Sequence, residues 1–206
     1  MAAGPTRTPQ RERSRGTQAR LLAATVDSLV ECGWSGTTTT GVAARAGVSR
    51  GAQLHHYPTK AALVIAAVEH LAERRAAEIR GEAAALPSGP RRLDRVVDML
   101  AAAFTGPLFA AALELWVAAR TDPELRDALV PLEAQVGREL YHLTVDLLGV
   151  DERVPGVRES VQATLDLLRG LGVANLLTDD TARRTALLEA WKRQLAALLA
   201  PAPVER

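Results

Sequence analysis

The chain has 206 residues, 48% hydrophobic and 24% charged, with one cysteine and a net charge of +1. That length buries one sizeable core, or one core and a small satellite, without metal or disulfide support, and the composition excludes disorder. Lone Cys32 rules out an internal disulfide or a thiolate-rich metal cluster and reads as a structural thiol at a helix end. No apolar run approaches the roughly 18 residues a membrane-spanning helix needs. The start, MAAGPTRTPQRERSRG, is basic and polar without the apolar segment of a secretory signal, so a cytoplasmic location is expected.

Charge is divided unevenly along the chain. Residues 1–60 carry eight Arg or Lys against three acids, or +5, while the remainder carries 17 against 21, or −4. A basic first third on an acidic body is the electrostatic footprint of a small nucleic-acid-binding module.

In chain order, helical period dominates and the protein is predicted to be all-α, with about nine helices. From Gly16, Leu21, Leu22, Val26, Leu29 and Val30 form an apolar stripe that stops at Gly33, a residue suited to a left-handed cap. Thr39 or Thr40 is the expected cap of a two-turn helix closed by Gly47, and Ser49 the cap of a second two-turn helix ended by Pro58. Thr59 opens a long fourth helix carrying Leu63, Ala67, Leu71 and Ala72 on one face. The segment Leu86 to Pro90 breaks the chain. Helices are then expected at about 91–104, 107–120, 123–148 behind the Asp122 cap, 155–177, and 181–200 behind Asp179 or Asp180, with Pro131 kinking or splitting the third of these.

Residues 39–57 therefore have a helix-turn-helix layout, whose inner corner is supplied by Val42, Ala43, Ala46 and Val48. The outer side of the second helix is expected to present Arg50, Gln53, His55 and His56, and Arg and Gln match guanine and adenine edges in the major groove. Small residues, Gly51 and Ala52, would let its backbone approach closely.

Residues 17–77 resemble the N-terminal domain of the TetR family of transcriptional regulators. The resemblance rests on Gly33-Trp34, Thr37 to Thr40, Ala43, Ala46-Gly47-Val48-Ser49, Gly51, His56-Tyr57-Pro58-Thr59-Lys60 and Leu63. It implies a basic tail at 1–15, a DNA-binding domain at 16–77 with its motif at about 39–58, and a helical effector-binding and dimerisation domain at 78–202. It also implies that Thr39 and Thr40 anchor phosphates, that Arg50 to His56 enter the major groove, that Lys60 grips the DNA backbone, and that Tyr57 is a core aromatic. The chain departs from the family pattern at Gln53-Leu54, where the family usually has Leu-Tyr with the Tyr on a phosphate. Leu54 cannot make that bond, which is then lost or taken over by Gln53 or His55.

Other chemistry finds little support. His55 and His56 point about 100° apart on a helix and cannot converge on one ion. Glu139 and His142 have the Glu-x-x-His spacing of di-iron bundles, which require two such motifs and two further glutamates. No catalytic triad order or phosphate loop stands out, so neither an enzyme nor a cofactor is expected.

One copy of so short a motif reads too few base pairs, so a homodimer on a near-palindromic operator is expected. Leu165, Leu168, Leu171, Gly172 and Leu176, with Leu188, Trp191, Leu195 and Leu199, are the predicted interface, Gly172 and Gly170 allowing close helix approach. The resemblance further implies an effector pocket among the middle helices. Its candidate lining is Met99, Phe104, Phe109, Leu113, Trp116, Tyr141 and His142, with Arg120 or Arg169 as anion partners. The resulting expectation is a repressor released from double-stranded DNA by a small molecule; the competing reading is a helical ligand-binding or scaffold protein without specific DNA binding.

Overall fold

A computed structural model describes residues 10–86, 89 and 91–200. Among these residues there are nine helices and no strand: α1 Gln10–Gly36, α2 Thr39–Arg45, α3 Arg50–His56, α4 Lys60–Ala84, α5 Arg92–Ala103, α6 Pro107–Ala119, α7 Pro123–Leu148, α8 Val157–Ala174 and α9 Thr181–Leu198. The all-α expectation holds. No single described helix is long and apolar enough to cross a membrane. Helix α1 begins six residues earlier than predicted, inside the segment read as a basic tail; residues 1–9 lie outside the described residues.

Contacts divide the chain into two compact units, Met1–His70 with Ala111–Val130, and Leu71–Ala110 with Pro131–Arg206. The segment 111–130, assigned from sequence to the second domain, packs with the first unit.

In the first unit, Leu21 and Ala24 of α1, Val42 of α2, Ala46 and Leu63 of α4 form a closed cluster, with Val48 and Tyr57 packed against it. Each large apolar side chain buried there contributes on the order of 1.5–3 kcal/mol, which holds two helices too short to persist alone. Gly33 ends the regular part of α1 at φ 63°, ψ −174°. The positive φ favours glycine; a Cβ here would also stand 2.8 Å from Glu114 Oε2, the tip of a side chain that can move aside.

In the second unit α5, α8 and α9 pack pairwise. Val96, Val97, Leu100 and Ala101 of α5 are buried, as are Val161, Leu165, Leu168 and Leu171 of α8 and Leu188 and Leu195 of α9. Thr164 Oγ1 accepts from Trp191 Nε1 at 3.0 Å, linking α8 and α9. Lys192 is buried between Asp98 and Glu189, each 2.7 Å from its ammonium. Burial opposes the charge, but bonds to the two carboxylates outweigh it and raise the Lys192 pKa.

Helix α7 is assigned as one helix through Pro131, which does not split it. Pro131 and Asp127, whose carbonyl loses its i+4 donor, both lie on the exposed side. Water can take that carbonyl, which lowers the cost of proline there.

Candidate nucleic-acid interface

Helices α2 and α3 are joined by a turn in which Gly47 takes φ 62°, and each has a hydroxyl at its start. Ser49 Oγ accepts from Ala52 N at 3.2 Å, as the sequence suggests. At α2 the cap is Thr38, whose Oγ1 accepts from Gly41 N at 3.0 Å, one residue before the expected Thr39. Capping by Thr38 leaves Thr39 and Thr40 in the first turn, Thr40 with its side chain exposed. The motif is tied back to α1 by Arg45, whose guanidinium meets Glu31 and holds that carboxyl below its usual range. Thr59 Oγ1 accepts from Ala62 N at 3.0 Å and opens α4 as predicted.

The outward face of α3 consists of Arg50, Gly51, Leu54 and His55. His56 is half-buried, its ring centroid 5.4 Å from that of His55. No group of three or more potential metal ligands occurs among the described residues.

Gln53 does not face outward. It is 0% exposed, and its Nε2 donates to the Tyr57 carbonyl at 2.6 Å while Oε1 is buried without a partner among the described residues. Gln53 is thus corrected from a base-reading residue to a buried brace for the end of α3, where Tyr57 N also donates to the Gln53 carbonyl at 2.8 Å. The register agrees: Gln53 precedes Tyr57, which packs against the core, by four residues, so the two lie on one side of the helix. Tyr57 is half-buried against the core, and burial raises its phenol pKa.

Lys60 also departs from its expected role. Its ammonium lies 3.9 Å from the centroid of the Trp34 ring and donates to the Trp34 carbonyl. Carbonyls near a helix C-terminus lack intrahelical donors, and this lysine supplies one. Burial pushes the Lys60 pKa down, against the attraction of Asp122. A cleft of about 250 Å³ here is lined by Trp34, Thr59, Lys60, Ala61, Asp122, Glu124 and Leu125. The ammonium is therefore engaged by a π face and a carbonyl beside acidic residues; in this arrangement Lys60 braces α1 against α4 instead of presenting a free charge to a phosphate.

The residues expected to line an effector pocket are divided between the two units. Leu113 and Trp116, half-buried, and exposed Arg120 belong to the first unit. In the second, Phe104 and Phe109 meet edge to face at 5.5 Å and Arg169 Cζ lies 6.0 Å from the Phe104 ring centroid, while Met99 is half-buried. Tyr141 is turned to Glu152, to which its hydroxyl donates at 2.8 Å, and His142 is exposed.

The predicted interface residues are mostly interior. Leu165, Leu168, Gly172, Leu188 and Leu195 are buried within the chain, and half-buried Trp191 bonds to Thr164; Leu176, past the end of α8, is exposed. Gly172 does permit a close approach, but within this chain: a Cβ there would stand 2.2 Å from the Phe104 carbonyl oxygen. Outward from the core, α8 carries Ala163, half-buried Leu167, Gly170 and Ala174, and α9 carries Leu187, half-buried Ala190, Gln194 and Leu198. The outward residues of α8 keep a helical spacing of four, three and four, but they are smaller than the leucines of the inner stripe.

The family profile described as "Bacterial regulatory proteins, tetR family" matches residues 21–67. The chain is 35% identical over 183 residues to the HTH-type transcriptional regulator CymR of Pseudomonas putida, covering 87% of this chain and 89% of that protein. It is 30% identical over 191 residues to the HTH-type transcriptional regulator BetI of Burkholderia mallei, covering 89% and 94%. Among solved structures, it is similar to a member of the TetR family from Streptomyces coelicolor A3 at a TM-score of 0.66 and 23% identity, covering 94% of this chain and 100% of that one. A multidrug binding protein, EbrR, complexed with imidazole aligns at a TM-score of 0.65 and 23% identity, covering 96% and 99%.

Proposed function

The chain belongs to the TetR family of helix-turn-helix regulators, and from that premise we propose that it is a homodimeric repressor released from a near-palindromic operator by a small molecule. It is a DNA-binding transcriptional regulator and not an enzyme. The observation that carries the reading is the outward face of α3, where Arg50 and His55 stand free of the core beside Gly51. Such a face lets hydrogen-bonding side chains and backbone approach the major groove together. Thr40 and the first-turn amides of α2 are suited to phosphate oxygens.

A two-fold pairing through the outward stripes of α8 and α9 would give the dimer two copies of α3 for two half-sites, which in a near-palindromic operator lie about one DNA turn, roughly 34 Å, apart. Leu187 and Leu198 are 38% and 57% exposed, and small Ala163, Gly170 and Ala174 would permit close packing against a second copy. An effector of aromatic or anionic character suits the Phe104–Phe109 pair and Arg169 in the second unit. The binding of imidazole by EbrR supports a small-molecule role for this fold. The ligand needs only to prefer one separation of the two α3 helices.

Footprinting of the DNA flanking the protein's own gene, repeated across salt concentrations and with small aromatic acids, tests this. A protected near-palindrome, with affinity falling steeply as salt rises and lost on adding one compound, is expected. Equal affinity for a scrambled duplex sinks the operator-specific reading.

A further inference from the structure

We propose that Leu54 reads a base: its side chain packs on the 5-methyl group of a thymine in the major groove and so specifies a T·A pair near the pair read by Arg50. This rests on α3 being the helix that enters the groove.

Leu54 is 44% exposed, and of the residues in α2 and α3 it is the one large apolar side chain left exposed. The core does not need it. The cluster of Leu21, Ala24, Val42, Ala46 and Leu63 closes with Val48 and Tyr57, and the inward position beside Leu54 is filled by Gln53. Polarity is thus inverted at adjacent positions, with the amide inside and the leucine outside.

The neighbours of Leu54 indicate what covers it. Arg50 lies one turn before it, Gly51 three residues before it, and His55 next to it on the same outward face. A Cβ at Gly51 would meet nothing within 4 Å, so space is open beside the leucine for a close surface. A face with a cationic arginine on one side suits a polyanion better than an apolar protein partner. On the floor of the major groove the base edges offer donors and acceptors, except for the methyl group of thymine. Set against a donor or acceptor edge, a leucine would strip water from a polar group and return no hydrogen bond. Residues four apart on a helix are separated by roughly 6 Å, and base pairs by roughly 3.4 Å, so the thymine should fall within two pairs of the one Arg50 reads.

The test uses the full chain and the tightest duplex it enriches from a random-sequence pool. Each thymine is replaced by deoxyuridine, singly and symmetrically in both half-sites, which deletes the methyl and leaves base pairing intact. At one thymine per half-site, replacement should weaken the wild-type protein by about fourfold per methyl. Leu54→Ala, which should fold as the parent does, should bind the thymine duplex more weakly and be indifferent to uridine at that position while still responding to changes at the Arg50 pair. The proposal is overturned if no uridine substitution weakens the wild type, if Leu54→Ala stays as sensitive as the wild type, or if the sensitive thymine lies farther than two pairs from the Arg50 site. If the full chain enriches no duplex over scrambled DNA, the DNA reading of α3 fails along with it; enrichment without uridine sensitivity removes the leucine contact alone.

Discussion

Helix α3 and the pair α8 and α9 put apolar side chains to opposite uses. In α8 and α9 the leucines of the most apolar stripe, Leu165, Leu168, Leu188 and Leu195, are buried, and smaller or partly exposed residues face outward. In α3, seven residues long, the leucine faces outward and a glutamine is buried. An 18-residue helix presents enough apolar area to choose its own buried face. A two-turn helix does not, and its face is set by the elements that clamp its ends: Ser49 at the start, Tyr57 and Pro58 at the finish, and the turn at Gly47. Inner stripes thus serve stability, and in neither region does size or polarity alone tell which side of a helix is buried.

That contrast breaks first at α8 and α9. Leu168→Glu or Leu195→Glu should prevent folding, because an unpaired carboxylate at either site costs several kcal/mol, about 3–5; loss of the cooperative thermal transition in circular dichroism is the readout. A folded monomer from either variant would return these leucines to the interface role expected from sequence. Next comes the outer stripe. The double variant Leu167→Glu with Leu187→Glu should keep its helicity, sediment as a monomer and bind operator at least about 100-fold more weakly, since each half-site is then bound alone. A dimer of undiminished affinity would move the interface elsewhere.

On α3 the effects are smaller and differ in kind. Arg50→Ala should cost about 1–3 kcal/mol of operator binding and relax preference at one position of each half-site, measured by competition among single-base variants. Gln53→Leu should change stability by no more than about 1 kcal/mol and leave operator preference as it was, because it exchanges one hydrogen bond and one buried unpaired oxygen for apolar contact. An altered preference would restore Gln53 to the groove. Smallest is the exposed pair of Glu31 and Arg45. The carboxyl is held below its ordinary pKa by the bond to Arg45, so its contribution is fully present above that ordinary value and is lost as pH falls through the lowered one. Glu31→Gln should reduce the acid-side fall in thermal midpoint slightly and leave the neutral-pH midpoint nearly unchanged, as expected of a solvent-screened pair.

Much of this was legible residue by residue. Gly47, Ser49 and Thr59 mark a turn and two caps through local chemistry alone, and each acts where its neighbours predict, whereas Gly33 interrupts α1 with an extended ψ and the helix is assigned on to Gly36. Four threonines in a row offer equivalent caps, and only the backbone angles of Thr38, φ −127° and ψ 148°, select one. Lys60 was read by its charge, whereas its ammonium goes to the ring and carbonyl of Trp34, 26 residues away. No local pattern records such a contact.

The sequence by itself determined the helices, their breaks and the family, because those depend on period, on capping residues and on a motif confined to a few dozen neighbouring positions. Tertiary structure alone decided which side of each helix is free. Gln53 faces in and Leu54 out, Leu168 is covered and Leu167 partly open, because burial is set by what packs from elsewhere in the chain, and a helix of either polarity can be turned by a fraction of a rotation without any change in its own hydrogen bonds.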